Sequence, residues 1–231
     1  MTNPGPQGPV PTVCRILCSN VLGLAGNLSD LTVDSSQYDI QLCTETLVSD
    51  RRHMSELLIP GIGRPELLCR SKMPRAQEIA TYVIDGYGAF RQRKYECGCC
   101  EMLVFRVCVV IQNLHVFSLY RNPDLDDPIF DCLLTSKAAV QTEDVRDSFL
   151  FVGDFTIANN TGCNQLVPGP THSRGGIFDL LMTDVPDLVR VAVLAPIGNS
   201  DHSSLSAVIS MAQAVPNLFL IRNVLRKHKV N

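Results

Sequence analysis

Short apolar runs of strand length, each stopping at a polar side chain, recur along this 231-residue chain. "VCRILCSNV" (13–21) ends near Asn20, "YDIQLCTET" (38–46) near Glu45 and "SFLFVGDF" (148–155) near Asp154. Runs this short, dense in β-branched and aromatic residues, form strands. Being apolar almost throughout, they ask to be covered on both faces. Residues 79–90 and 100–123 read as further strands, the second stretch folding back at "QN". "GIFDLLMTD" (176–184) and "VRVAVLAP" (189–196) read the same way. Helical spacing appears between the first two strands, over 51–58 and over 127–143, where apolar residues fall at 129, 130, 133, 134 and 139. Strands mixed with a few helices predict an α/β sandwich of two sheets covered by helices.

The length suits one large domain, and 45% hydrophobic against 19% charged residues marks a folded chain. Residues 1–12, rich in Pro and Gly and without a basic start, read as a disordered leader and not a signal peptide. The domain is expected over 13–212, followed by a basic tail or linker over 213–231. A net charge of −3 does not advertise an electrostatic grip on nucleic acid, and no apolar run is long enough to cross a membrane. The expected location is intracellular and not secretory, so most of the ten cysteines are expected to be reduced. Cys97, Cys99 and Cys100 could hold zinc or iron, although no second pair stands at zinc-ribbon spacing.

Five strand ends or post-strand turns carry groups suited to chemistry: Asn20, Glu45, Tyr120, Asp154 and the Asp201–His202 pair. Loops converge at strand ends in α/β layers, and sites are built there. "PIGNSDHSSL" (196–205) admits two readings. Ser200 or Asp201 could cap a helix carrying Leu205, Val208, Ile209 and Met211, or Asp201 and His202 could belong to a catalytic centre.

Six motifs in order, "RILCSNVLGL", "YDIQLCTETL", "VFSLYRNP", "FLFVGDF", "GGIFDLLMTD" and "GNSDHSSL", resemble the endonuclease/exonuclease/phosphatase superfamily. More closely, they are similar to the endonuclease domain that opens the reverse-transcriptase polyprotein of jockey-type non-LTR retrotransposons. The resemblance spans about residues 13–210. It implies a four-layer, DNase I-like α/β sandwich of two mixed sheets, a divalent cation (Mg²⁺ or Mn²⁺) and hydrolysis of a DNA phosphodiester. A DNA substrate implies a nuclear site of action, and the parent polyprotein implies a reverse-transcriptase domain as partner. By motif, the catalytic set is His202, Asp201, Asp154, Tyr120 and Asn20. The metal set is Glu45, Asn20 and Asp201, the substrate set Thr171, Ser200 and Thr156, and Asp179 is a buried orienting residue. In the expected chemistry Glu45 and Asn20 seat the cation, Asp201 orients His202, and Asp154 activates water.

The chain departs from the family pattern after Asp154. Thr156 stands where the family has Asn, and Ser19 where many relatives have Trp. Only 25 positions separate Asp154 from Asp179, so a helix-bearing segment is shortened. Loss of that cover is expected to expose apolar surface and loosen the site. These departures leave a catalytically impaired remnant as the alternative to an active nuclease. A lipid or small-molecule phosphoesterase of the same fold is the third reading.

Overall fold

A computed structural model of the chain describes residues 13–48, 54–68, 79–97, 100–108, 113–121, 129–155 and 161–210. The expected leader (1–12), the tail (213–231) and Thr156 lie outside the described residues.

Two six-stranded mixed sheets face each other. The first runs in the order β11 (Val189–Leu194), β12 (Ser204–Ser210), β1 (Val13–Asn20), β2 (Ile40–Thr44), β4 (Ile79–Val83), β3 (Glu66–Leu68). The second runs β5 (Ala89–Arg91), β6 (Glu101–Val107), β7 (Leu114–Tyr120), β8 (Ser148–Asp154), β10 (Asp179–Thr183), β9 (Asn164–Gln165). Helix α1 (Leu28–Asp34), with neighbouring 3-10 turns, lies on the outside of the first sheet; α2 (Ile129–Glu143) covers the second.

Three apolar clusters separate these four layers, as the doubly apolar strands require. Ile16, Leu42, Phe105, Val116, Val152 and Leu205 pack between the sheets. Phe117, Phe149, Phe151 and Met182 meet Leu133 and Val140 of α2. Leu17, Cys43 and Tyr82 meet Leu24 and Leu31 on the opposite outside. Successive side chains of one strand therefore serve different cores, which is the two-residue period of a strand sandwiched on both faces.

That period also aims the polar strand ends. On β1, Cys14, Ile16 and Cys18 point between the sheets, so Asn20 does too; on β7, Leu114 and Val116 set the same parity for Tyr120. Leu150 and Val152 set it for Asp154, and Leu181 sets it for Asp179. β7 runs parallel to β8 with Tyr120 opposite Asp154, and β10 runs antiparallel with Asp179 opposite Asp154. β1 and β2 are parallel, with Asn20 opposite Thr44, one residue before Glu45. The groups thus gather at one end of the sandwich, in the gap between the sheets.

Three expectations are corrected. The stretch after His202 is a strand, not a capped helix: Leu205, Ala207 and Ile209 are buried in alternation while Val208 is exposed. The second sheet, moreover, keeps its cover on the α2 face despite the short segment after Asp154, although Ile177 and Phe178, just before β10, are exposed. Phe149 and Phe151 are fully buried and Met182 nearly so, in one cluster with α2 and Phe155. The helix expected over 51–58 appears only as a 3-10 turn over Met54–Leu57, with residues 51–53 outside the described residues.

Candidate active site

Gly153 lets β8 deliver Asp154. Its φ is +142°, and a Cβ there would collide with the Leu119 carbonyl of β7, so only glycine lets the two strands pair up to Asp154. Glu45 is presented by a left-handed backbone, φ +51°, which costs a non-glycine residue about 1–2 kcal/mol. Backbone bonds from Gly23 N–H to the Glu45 carbonyl (2.8 Å) and from Leu24 N–H to the Thr46 carbonyl (2.8 Å) hold that loop against the one after β1. Such strain persists where the surroundings over-determine it, as at functional sites.

Glu45, Tyr120, Asp154 and His202 line one cleft of about 480 Å³, together with Arg121, Phe155, His172, Arg174 and Phe178. The Tyr120 hydroxyl donates to Glu45 Oε1 (3.1 Å), bridging the two sheets. Burial and then the Glu45 charge push the phenol well above its ordinary pKa, so it remains a donor. Asn20 Nδ2 points at Asp154 Oδ2 (3.4 Å), while Asn20 Oδ1 accepts from Leu22 N–H (3.3 Å).

The carboxylate that orients His202 is Asp179 and not Asp201. His202 Nδ1 lies 2.8 Å from Asp179 Oδ2, a bond buried between the sheets. Asp201 is half exposed; its Oδ1 is 4.0 Å from His202 Nε2, and its Oδ2 pairs instead with His172 Nε2 (3.1 Å). The physical reason is direction. His202 leads into β12, where it bridges to His172, and its ring enters the intersheet gap beside β10 while its neighbour points to the rim.

Thr171 and Ser200, expected to touch substrate, are buried and occupied within the fold. Thr171 Oγ1 accepts from the N–H groups of Phe178 and Asp179 (3.0 Å each), fixing the start of β10. Ser200 Oγ accepts from His202 N–H (3.2 Å) and so sets the turn that carries the imidazole. Both position the dyad and do not line the cleft.

The electrostatics follow from crowding. Burial, then the nearby charge of Asp179, raises the Asp154 carboxyl to about 7, against the weaker pull of His202 and Asn20. Burial works to lower the His202 pKa, but the hydrogen bond and charge of Asp179, aided by Asp154 and Asp201, outweigh it and hold the imidazole above its ordinary value. An acidic, partly buried pocket of this kind, with the hard oxygen donors of Glu45 and Asp154 on its wall and Asn20 just behind, fits a small divalent cation. The spatial clusters Asp154–Asp179–His202 and His172–Asp201–His202 also have their donor atoms within 4.8 Å of one another.

Sequence reasoning did not single out His172, Arg121, Arg174 or Phe178. His172 sits at van der Waals distance from the dyad, with ring centroids 4.7 Å from His202 and 5.0 Å from Phe178. Its Nδ1 accepts from Arg174 N–H (3.0 Å), which leaves Nε2 as the donor to Asp201. The available signal was the basic, histidine-bearing "THSRGG" immediately after Pro170.

No protein-family model matches the chain. No curated protein matches it in sequence either. Among solved structures, its fold matches those of endonuclease/exonuclease/phosphatase proteins. The endonuclease domain of TRAS1, a telomere-specific non-LTR retrotransposon, aligns at 17% identity over 87% of this chain and 100% of that one, with a TM-score of 0.61. The AP endonuclease LMAP from Leishmania major aligns at 11% identity over 86% and 88% of the two chains, TM-score 0.66. An endonuclease/exonuclease/phosphatase family protein from Leptotrichia buccalis aligns at 14% over 84% and 98%, TM-score 0.55. The chain therefore has the endonuclease/exonuclease/phosphatase fold, an α/β sandwich with its candidate site at one end of the two sheets.

Proposed function

We propose that this chain is a phosphodiester hydrolase acting on DNA, the target-nicking domain of a non-LTR retroelement, dependent on Mg²⁺ or Mn²⁺. The observation that carries the reading is the convergence of Glu45, Tyr120, Asp154 and His202 on one cleft from both sheets, with Asn20 and Asp179 hydrogen-bonded behind Asp154 and His202. The ordered motifs and the match over the whole TRAS1 endonuclease domain support the retroelement assignment, with a reverse-transcriptase domain as the expected partner.

Glu45 and the Asn20 side-chain oxygen would hold the cation, which supplies Lewis-acid stabilisation of phosphate charge. Asp154, with a pKa near 7, is poised to take a proton from the attacking water. Water oxygen then bonds to phosphorus as one P–O ester bond breaks, and the leaving oxygen takes up a proton, returned by Asp154 or drawn from solvent, to give a hydroxyl and a phosphomonoester. His202 keeps its Nδ1 proton on Asp179, so its Nε2–H is free to donate to a phosphate oxygen as charge builds there. Tyr120, whose one O–H is committed to Glu45 Oε1, braces that carboxylate from the opposite wall, and Arg121 and Arg174 supply positive charge at the mouth. Asp201, exposed at the rim, helps position His172.

Nicking of supercoiled plasmid by the purified chain with Mg²⁺, against EDTA and His202→Ala controls, tests this directly. Metal-dependent nicking abolished in the variant supports the reading. A folded chain that leaves the plasmid intact refutes it, and phosphate release from small phosphoesters would point to the phosphoesterase alternative.

A further inference from the structure

The cysteine-rich segment before β6 acquires a meaning in three dimensions that its sequence spacing lacked. Cys97 and Cys100, separated by two residues, are joined in space by Cys132, the fourth residue of α2. Their sulfur atoms all lie within 4.8 Å of one another. Three thiolates around one tetrahedral zinc ion, each at about 2.3 Å, sit about 3.8 Å apart, so small side-chain rotations would close the set. Cys100 and Cys132 are buried, and Cys97 is partly exposed. Beside them opens a cleft of about 410 Å³ lined by Tyr95, Glu96, Asp131 and Thr135, where water or one further donor has room to complete the coordination.

We propose that Cys97, Cys100 and Cys132 form a thiolate site for a soft divalent cation, zinc by chemical class, distinct from the oxygen-lined catalytic cleft. Soft sulfur donors select zinc over magnesium, so the two sites do not compete for the same ion. The ligands come from two elements far apart in sequence, and binding clamps α2 to the segment that leads into β6. Cys100 immediately precedes Glu101, which pairs with Tyr120 across β6 and β7, so the clamp anchors the strand pair that delivers the cleft's phenol. Other described cysteines lack this company. Cys14 and Cys43 sit in the first sheet, where burial pushes each thiol up to about 12. Cys99 lies outside the described residues and is not part of the proposed set.

The test is a Co²⁺ titration of the full chain, stripped of metal under reducing conditions and supplied with excess Mg²⁺ to occupy the oxygen site. One equivalent of Co²⁺ should produce a sulfur-to-cobalt charge-transfer band that Zn²⁺ then displaces. Cys132→Ser should weaken binding at least about 100-fold, since losing even an outer hydrogen-bonding partner costs a metal site about 10–100-fold. Cys108→Ser, on a half-buried cysteine outside the set, should leave the titration unchanged. In the unmutated chain, Zn²⁺ should shield the partly exposed Cys97 from alkylation while Mg²⁺ does not, a readout that does not depend on folding of the variant. Absence of the charge-transfer band, or a band that survives Cys132→Ser, overturns the proposal. A band in a chain that does not nick DNA still supports it.

Discussion

Replacing Asp179 by asparagine removes a charge while leaving an oxygen at nearly the same place. His202 Nδ1 lies 2.8 Å from that carboxylate, which is almost fully buried. A hydrogen bond to a charged partner in such a setting is worth about 1.5–3 kcal/mol. If the dyad stabilises charge only as the phosphodiester is attacked, the nicking rate should fall about 10- to 150-fold, at about 1.4 kcal/mol per decade. The His202 pKa should fall as well, because the bond and charge of Asp179 are what raise it against the opposing effect of burial. Asp201→Asn is the matched comparison. That carboxylate is half exposed and 4.0 Å from His202 Nε2, an arrangement worth at most about 1 kcal/mol and hence less than about fivefold in rate. Plasmid nicking under single-turnover conditions gives the rates, and NMR titration of the His202 ring gives the pKa independently of activity. If Asp201→Asn lowers the rate or the pKa as much as Asp179→Asn, the assignment of the orienting carboxylate is wrong.

Three further outcomes follow from the geometry. Gly153→Ala should destabilise the fold by about 2–6 kcal/mol, combining backbone strain at positive φ with overpacking against the Leu119 carbonyl; urea denaturation measures it, and a loss under about 1 kcal/mol would show that β8 can shift. Without divalent cation, the contribution of Asp154 to stability should decline as pH rises from about 4 through about 7, because the folded state retains a proton on Asp154 that the unfolded carboxyl has released. The raised His202 pKa acts in the same sense, its contribution full below the ordinary histidine value and lost as pH climbs through the folded one. Added Mg²⁺ should therefore raise the melting temperature more at about pH 8 than at about pH 5.5, and an equal shift at both would show that Asp154 is not coupled to the metal. Arg174→Ala should weaken binding to duplex DNA uniformly across sequences and reduce the slope of log K against log salt by about 0.9; an unchanged slope would place Arg174 off the phosphate path.

Much of the site was legible because strands have a fixed period. Once Ile16 and Cys18 belong to the intersheet core, Asn20 must face it, and the same parity carries Tyr120 and Asp154. What misled was adjacency. Asp201 and His202 touch in sequence, yet consecutive residues project to different sides, so the neighbour in the chain is not the neighbour of the imidazole. Ser200 and Thr171 misled in the same way: a hydroxyl beside a catalytic motif can serve the backbone that carries the motif. The strand after His202 was ambiguous because a short apolar run suits either period until its partners are known; pairing with β1 and β11 decides it.

The two-sheet α/β class, the parity of the strand-end groups and the order of the motifs can be read along the chain, since these depend on local periodicity and residue type. Which carboxylate reaches His202, the presence of His172 and two arginines in its cleft, and the meeting of Cys132 with Cys97 and Cys100 emerge from the folded chain alone. Each of those depends on where distant segments cross, set by sheet order and core packing acting on the whole chain at once, and no local window of residues encodes it.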